Sequence, residues 1–232
     1  GVTNKWLAKK AAVICVAYPA MGAFFPEKAL RLTGNPIRSD ITAALPDRET
    51  ALSYFGLDAS KPTLLILGGS LGAKKINEFV SDSLPFFKQQ GFQIIWQCGG
   101  LYYEQYRNHE SEEVRVFDFI AKMPMAYAAA SMALSRSGAG VVSELMVVGV
   151  PTVFVPSPNV AEDHQTKNAL SVTKIKAGFM VKEQDLYTAF KSVFKELSQS
   201  EIQSDIKEAM AQIAKPKATA SIVAEINQII QG

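Results

Sequence analysis

Short apolar runs alternate with amphipathic stretches along most of the chain. The run "TLLILGG" at 63–69 is continuously apolar and ends in glycines, which is typical of a strand buried on both faces of a parallel sheet. In the stretch that follows, Ile76, Phe79, Val80 and Leu84 recur at the spacing of one helix face. Together the two patterns predict a strand followed by a helix that packs on it.

The same alternation continues toward the end of the chain and predicts six strands. Their sequences are "TLLILGG", "FQIIWQCG", "VRVFDFI", "MALSRSG", "PTVFVP" and "GFMV". Helical patterns with short connections separate the strands, which favours right-handed strand–helix–strand units. We therefore predict an α/β protein built on a Rossmann-like, doubly wound parallel sheet.

The two ends of the chain are less regular. A short helix is predicted over 5–12 and a short buried strand over 13–16, before proline and glycine interrupt the pattern. A last helix is predicted over about 217–231. It carries an apolar stripe that needs a partner surface, formed by Ile222, Val223, Ile226, Ile229 and Ile230.

Composition narrows the possible functions. The 232 residues are 48% hydrophobic with a net charge of +2, so nothing in the whole-chain charge argues for nucleic-acid binding. Cys15 and Cys98 lie far apart, and with only His109 and His164 present we expect no zinc or histidine metal site. No apolar run reaches the roughly 18–20 residues of a membrane span. Because the chain begins with Gly1, we expect its natural start to lie elsewhere.

The loop "GGSLGA" at 68–73 joins a predicted strand directly to a helix. Glycines let the backbone approach an anion, the helix start offers N–H groups, and Ser70 adds a hydroxyl donor. The loop matches neither the dinucleotide fingerprint nor the P-loop. Arg38 follows a rigid Asn-Pro turn and is a further phosphate candidate. The alternatives are a turn that only packs helix on sheet and an arginine at the surface.

A second loop of the same chemistry, "SRSGAG", precedes Val141. Two such helix starts can share one diphosphate. Glu144 lies four residues after Gly140 on the same helix face, about 5–6 Å further along. A carboxylate there suits a vicinal diol, such as that of a ribose, better than a phosphate. The alternative is a first-turn acid that interacts with the helix dipole or with a lysine.

A third polar group follows the strand "PTVFVP". Asp163 or Glu162 is expected to cap the helix. His164, Gln165 and Asn168 then lie near the helix start, and amides suit sugar hydroxyls because they both donate and accept. The alternative is a solvated helix face.

These motifs together resemble one family. The segments "NKWLAKK", "GNPIRSD", "GGSLGAKKIN", "SRSGAGVVSELMVVGVPTVFVP" and "EDHQTKNA" occur in the order and spacing of the MurG family, the peptidoglycan N-acetylglucosaminyltransferases. The resemblance runs from Asn4 to the end of the chain. It implies the C-terminal, donor-binding half of a GT-B glycosyltransferase. It also implies inverting transfer of N-acetylglucosamine from UDP-N-acetylglucosamine to lipid I, which makes lipid II at the inner face of the bacterial membrane.

The resemblance assigns roles to individual residues. Arg38 and Ser70 would contact the diphosphate, and 139–142 would present N–H groups to it. Ile120 would meet uracil through its backbone, and Glu144 would hold the ribose. The full set implied in donor binding is Asn4, Arg38, Ser70, Ile120, Ala139, Gly140, Val141, Val142, Ser143, Glu144, His164, Gln165 and Asn168. Gln165, with His164 and Asn168 beside it, would face the N-acetylglucosamine, and Asn4 would lie near the sugar side of the cleft.

The resemblance also implies what the chain lacks. Residues 1–35 look like the last helix and strand of an acceptor domain with its linker, and 36–232 form the donor domain. The acceptor domain carries the proposed catalytic base, so we expect the chain to bind donor but to turn over little or nothing alone. No Asp-x-Asp motif occurs, so neither a divalent ion nor another cofactor is expected.

Three other readings remain open on sequence grounds. They are a non-catalytic nucleotide-sugar binding module, the donor subunit of another GT-B transferase, and a UDP-sugar epimerase. The expected partners are UDP-N-acetylglucosamine, lipid I through the missing domain, and the cytoplasmic membrane surface as a peripheral contact. The lysines around Trp6 and Leu7 could touch an anionic surface, or this helix packs onto the missing domain.

Overall fold

A six-stranded, all-parallel sheet forms the centre of the protein, and the computed structural model describes residues 2–69, 72–160 and 163–231. Its strands are β3 (Thr63–Leu67), β4 (Gln93–Gln97), β5 (Val114–Phe117), β6 (Met132–Ser135), β7 (Thr152–Phe154) and β8 (Phe179–Met180). They lie in the order β5-β4-β3-β6-β7-β8. The predicted doubly wound α/β sheet of six strands is confirmed.

Helices cover both faces of this sheet, so all five residues of β3 and all five of β4 are buried. The longer helices are α3 (Arg48–Phe55), α4 (Lys74–Gln89), α6 (Met123–Ala129), α7 (Ala139–Val148), α8 (His164–Thr173), α9 (Leu186–Leu197) and α10 (Ser200–Ile213). Short helical turns lie at α2 (Ser39–Thr42) and α5 (Tyr103–Tyr106). The predicted face of α4 is buried at Ile76, Phe79 and Val80. Phe79 meets Phe190 of α9 edge to face, with 4.9 Å between ring centroids.

The order in which the chain adds strands to the sheet reverses between the neighbouring strands β3 and β6. The chain first runs outward from β3 to β4 and β5, then crosses to the other side of β3 and continues through β6, β7 and β8. The last residues of the two central strands, Leu67 and Ser135, are paired in register. The loops that follow β3 and β6 therefore leave the same edge of the sheet side by side, where ligands bind in folds of this kind.

The N-terminal segment forms a second, small sheet of two parallel strands. It contains α1 (Val2–Ala8), β1 (Ile14–Val16) and β2 (Leu30–Leu32), with Ile14 paired to Leu30. The prediction of a helix over 5–12 is wrong in its bounds, because the helix ends at Ala8 and residues 9–12 are exposed, so extending it would bury no apolar surface. The strand β2 was not predicted from the sequence.

The C-terminal helix α11 (Ala218–Gln231) confirms the last predicted helix. Most of its apolar stripe is exposed, and the exposed fraction reaches 75% at Ile230. The start of the helix lies against the segment that leaves β2, since a Cβ on Gly34 would come within 3.2 Å of the Cβ of Ala218. Within the described residues, no helix is both long and apolar enough to cross a membrane.

Candidate nucleotide-binding site

The loop after β6 leads into α7 without a side-chain cap. Gly138 is the N-cap in an extended conformation, and the N–H of Val142 donates to its carbonyl at 3.0 Å. The N–H groups of Ala139, Gly140 and Val141 have no acceptor among the described residues. Ala139 and Gly140 are also exposed. The start of α7 therefore offers three N–H donors and the positive end of the helix dipole to an anion.

The neighbouring loop after β3 brings the start of α4 close to the end of β4. Gly72 has a φ of +80°, and a Cβ there would lie 2.2 Å from the carbonyl oxygen of Cys98. Only glycine fits this position, both for its backbone conformation and for its space. Ser70, the predicted phosphate contact in this loop, lies outside the described residues.

Arg136 connects three strand ends around the site. Its guanidinium forms an ion pair with Glu183, with side-chain exposures of 13% and 16%, and also donates to the carbonyls of Val155 and Pro156 at 3.2 and 3.1 Å. The guanidinium charge of Arg136 is thus matched by Glu183 and by two carbonyl oxygens, as a largely buried charge requires. These contacts hold the ends of β6, β7 and β8 together. Sequence reasoning missed this role, and the one available signal was a lone arginine at the end of a buried strand.

Two polar residues of α8, Gln165 and Asn168, lie beside the loop after β6. The hydroxyl of Ser137 donates to the carbonyl of Gln165 at 2.9 Å, and Nδ2 of Asn168 donates to the carbonyl of Ser137 at 3.0 Å. Oε1 of Gln165 accepts from the N–H of Ser157 at 2.9 Å. Each of the two amides thus uses one of its polar atoms to position a loop. Nε2 of Gln165 and Oδ1 of Asn168 have no hydrogen-bond partner among the residues that the structure describes.

The start of α8 differs from the expected side-chain cap. Asp163 is the N-cap residue, but its side chain accepts no backbone N–H there. Oδ1 of Asp163 instead accepts from the hydroxyl of Thr166 at 2.6 Å. The expectation that Asp163 caps through its carboxylate is therefore wrong, because a residue with φ at +51° does not have the extended backbone of an ordinary N-cap. Glu162 lies outside the described residues, and His164 is exposed at the first turn.

Glu144 lies on α7, one turn beyond the exposed N–H groups, and is half-buried. Its Oε2 accepts from the phenolic hydroxyl of Tyr127 at 2.6 Å. Among the described residues this hydroxyl is its polar partner, and no lysine is paired with it. Burial, and then the charge of Glu144, raises the pKa of Tyr127 well above its ordinary value. Tyr127 is therefore protonated at neutral pH and donates to the carboxylate.

Arg38 stands at the start of α2, which packs against both α6 and α7. The positive charge of Arg38 opposes the rise in the pKa of Tyr127. Nε of Arg38 is 3.4 Å from a carboxylate oxygen of Asp40, and the side chain of Arg38 is 43% exposed. The structure therefore brings Arg38 to the same side of the fold as Glu144 and leaves it accessible.

Comparison with known proteins identifies the family. The glycosyltransferase family 28 C-terminal domain matches residues 63–226. The chain belongs to this family. A curated relative from Flavobacterium psychrophilum, named UDP-N-acetylglucosamine–N-acetylmuramyl-(pentapeptide) pyrophosphoryl-undecaprenol N-acetylglucosamine transferase, is 47% identical over 100% of this chain, which covers 64% of the relative. The chain thus spans less than two thirds of that relative's length, and the MurG resemblance read from the motifs is confirmed.

Solved glycosyltransferase structures share the fold. Acinetobacter baumannii MurG superimposes with a TM-score of 0.74 at 29% identity, over 98% of this chain and 63% of that one. CalG4, the calicheamicin glycosyltransferase, superimposes with a TM-score of 0.64 at 16% identity, over 92% of this chain and 52% of that one. The second likeness concerns the fold alone. The predicted GT-B type of sheet is confirmed for this family 28 domain.

Three further residues were expected to contact the donor in a family 28 domain of this kind. Ile120 is buried, and its N–H donates to Oε1 of Gln97 at 2.9 Å. Its carbonyl is therefore the backbone group that remains for contact with a nucleobase. The hydroxyl of Ser143 donates to the carbonyl of Ala139 at 2.9 Å and is already engaged. Asn4 is exposed on α1, and none of the described hydrogen bonds connects it to the strand-end loops.

Within the described ranges, no group of three or more acidic, histidine or cysteine side chains is close enough to hold a metal ion. Among the described residues, Arg136 is already paired with Glu183, whereas the start of α7 and the side chain of Arg38 are exposed. An anion bound here would therefore meet N–H dipoles and the guanidinium of Arg38.

Proposed function

We propose that this chain is the donor-binding part of an inverting glycosyltransferase and that it binds UDP-N-acetylglucosamine at the switch point of the sheet. The observation that carries the proposal is the position of Glu144, one helical turn beyond three N–H groups that have no acceptor in the described part of the chain. A carboxylate beside a phosphate is repulsive, whereas a carboxylate that only accepts hydrogen bonds complements the two donors of a ribose diol. The arrangement fits a nucleoside diphosphate better than phosphate alone.

The diphosphate would lie on the N–H groups of 139–141, with Arg38 and Ser70 contributing further donors. The ribose diol would donate to Glu144. The carbonyl of Ile120 would accept the N3–H of uracil. On the sugar side, the polar atoms of Gln165 and Asn168 not used by the loops would meet the N-acetylglucosamine hydroxyls, with His164 and Asn4 at the edge of this subsite.

In the proposed reaction the acceptor hydroxyl gives its proton to a base that we place outside this chain. The hydroxyl oxygen forms a bond to the anomeric carbon of the sugar while the bond from that carbon to the diphosphate oxygen breaks. Negative charge then develops on the leaving UDP. The free N–H groups at the start of α7 and the guanidinium of Arg38 would stabilise this charge. We assign the catalytic base to no residue of this chain and propose that residues 1–35 belong to the acceptor side of the whole enzyme.

We also propose that the whole enzyme transfers N-acetylglucosamine to a lipid-linked acceptor at the cytoplasmic face of the membrane. The name of the Flavobacterium psychrophilum relative refers to an undecaprenol-linked acceptor. On α1, Trp6 and Leu7 are 64% and 52% exposed, next to Lys5, Lys9 and Lys10. This combination suits an anionic surface. Cosedimentation of the chain with phosphatidylglycerol vesicles, lost in Trp6→Ser, would support it, and no binding would assign α1 to protein packing.

Calorimetry with UDP-N-acetylglucosamine, UDP-glucose and NAD tests the donor proposal. We expect both UDP sugars to bind, UDP-N-acetylglucosamine more tightly, and NAD not to bind. Equal affinity for the two sugars would favour a less selective nucleotide-sugar module or another transferase. Binding of NAD without UDP would overturn the proposal, and lipid II synthesis by the 232-residue chain alone would contradict the expected lack of turnover.

A further inference from the structure

Tyr127 and Glu144 belong to different helices and form a polar contact at the edge of the core. Tyr127 lies on α6 with only 2% of its surface exposed, and its hydroxyl reaches Oε2 of Glu144 at 2.6 Å. We propose that Tyr127 is a positioning residue, which holds the Glu144 carboxylate in the orientation that accepts the ribose diol. This inference rests on the proposed function of the site.

The buried ring makes Tyr127 a rigid support. Helix α6 packs against α3 and against the central strand β3, so the ring is fixed by the core and the hydroxyl alone reaches the site. An ionised carboxylate only accepts hydrogen bonds, and a phenol can donate only one. The contact therefore fixes Oε2 and leaves Oε1, which has no partner among the described residues, for the ligand.

Holding Glu144 in advance has a physical benefit. A glutamate side chain has several rotatable bonds, and fixing them at the moment of binding costs conformational entropy. Because the packed ring of Tyr127 fixes the carboxylate beforehand, much of this cost is met during folding. The diol then meets an acceptor that is already oriented.

The competing explanation is that Tyr127 only satisfies a half-buried carboxylate. The two explanations differ in the dependence on the diol. A positioning role predicts that removal of the hydroxyl weakens binding of UDP but leaves binding of 2′,3′-dideoxyuridine diphosphate unchanged, because that nucleotide has no diol. A purely structural role predicts equal effects on both nucleotides.

Tyr127→Phe is the decisive variant, because it removes the hydroxyl and keeps the packed ring. We expect calorimetry to show about tenfold weaker binding of UDP, the effect of losing one charge-assisted hydrogen bond, and unchanged binding of the dideoxy analogue. The double variant Tyr127→Phe/Glu144→Gln should bind UDP no more weakly than Glu144→Gln alone. Tyr106→Phe is the matched control, since Tyr106 is also buried, at 3% exposure, and its hydroxyl accepts from Gln105 instead of donating to Glu144.

A second measurement is made on the wild-type chain, and Glu144→Ala serves only to assign the resonance. The short hydroxyl–carboxylate bond predicts a downfield, slowly exchanging proton in the NMR spectrum of the wild-type chain, absent from Glu144→Ala. A positioning role requires this resonance to persist when UDP is bound. Its disappearance on UDP binding, or equal losses for UDP and its dideoxy analogue, would overturn the inference while leaving the proposed function intact. A wild-type chain that binds neither nucleotide would overturn both.

Discussion

Asn35, in the segment that leaves the small N-terminal sheet, is bonded to the first turn of the helix at the candidate site. Its Nδ2 donates to the carbonyl of Ala139 at 3.2 Å and to Oγ of Ser143 at 3.0 Å. Arg38 follows three residues later in the same segment. One short piece of chain therefore both joins the two parts of the molecule and positions a predicted phosphate contact against α7.

We expect Asn35→Ala to weaken binding of UDP. The variant removes two hydrogen bonds, and net contributions of about 0.5–1.5 kcal/mol each are typical, so the segment that carries Arg38 should loosen. Calorimetry measures the affinity, and thermal unfolding measures the accompanying loss of stability. Asn108→Ala, at an exposed position of another loop, should change neither. Equal UDP affinity in Asn35→Ala and wild type would show that the segment stays in place without these bonds.

The large sheet could be predicted from the sequence because strands buried on both faces consist of continuous apolar runs. The glycine loops were also recognisable, since each falls directly between such a run and a helix. The strand β2 could not be recognised, because Leu30–Leu32 has only three residues and includes Arg31. It is defined by its pairing with Ile14–Val16. No local pattern contains that pairing.

The contacts that organise the site could not be predicted from the sequence either, because they join residues of different elements. Glu144 was identified from helix spacing, but its partner Tyr127 lies 17 residues earlier on another helix. Asn35 reads as a turn residue before proline, although its amide reaches Ala139 across 104 positions. Spacing along one element predicts which residues share a face, and the fold alone decides which faces meet.

Gly72→Ala should strongly destabilise the protein. The new methyl group would lie 2.2 Å from the carbonyl oxygen of Cys98, in addition to the cost of a left-handed backbone. Gly91 is a matched control, because its φ is +76° but nothing lies within 4 Å of an added Cβ. We expect Gly91→Ala to lower the free energy of unfolding by about 1–2 kcal/mol, and Gly72→Ala by clearly more, in urea denaturation. Similar losses for the two variants would mean that the loop shifts easily.

The thiols of Cys15 and Cys98 should differ in their reactivity toward iodoacetamide, and that of Cys98 should increase at high pH. Burial raises the pKa of the Cys98 thiol to about 11, whereas Cys15 is exposed. Since the thiolate is the nucleophile, Cys98 stays protonated and unreactive at pH 8, and raising the pH toward 11 increases its thiolate fraction. Mass spectrometry after iodoacetamide treatment at pH 8 should show one modification in the folded chain and two in urea. Two modifications in the folded chain would show that the end of β4 opens readily.

Glu144→Ala tests the centre of the proposed site. The variant removes the carboxylate that would accept from the ribose diol, so UDP should bind more weakly by about 1–3 kcal/mol, the range for hydrogen bonds to a charged group. The fold should be retained, because Glu144 is half-buried and the Tyr127 ring stays in the core. Circular dichroism checks the fold and calorimetry the affinity, with Glu110→Ala, exposed in a distant loop, as the control.

Glu144→Gln separates the effect of the charge from that of the side-chain shape. Its amide can still accept a hydrogen bond through its oxygen, so we expect a loss of UDP affinity between those of wild type and Glu144→Ala. Wild-type affinity for UDP in Glu144→Ala would reduce Glu144 to an ordinary acid in the first turns of a helix and would remove the main support for a nucleotide ribose at this position.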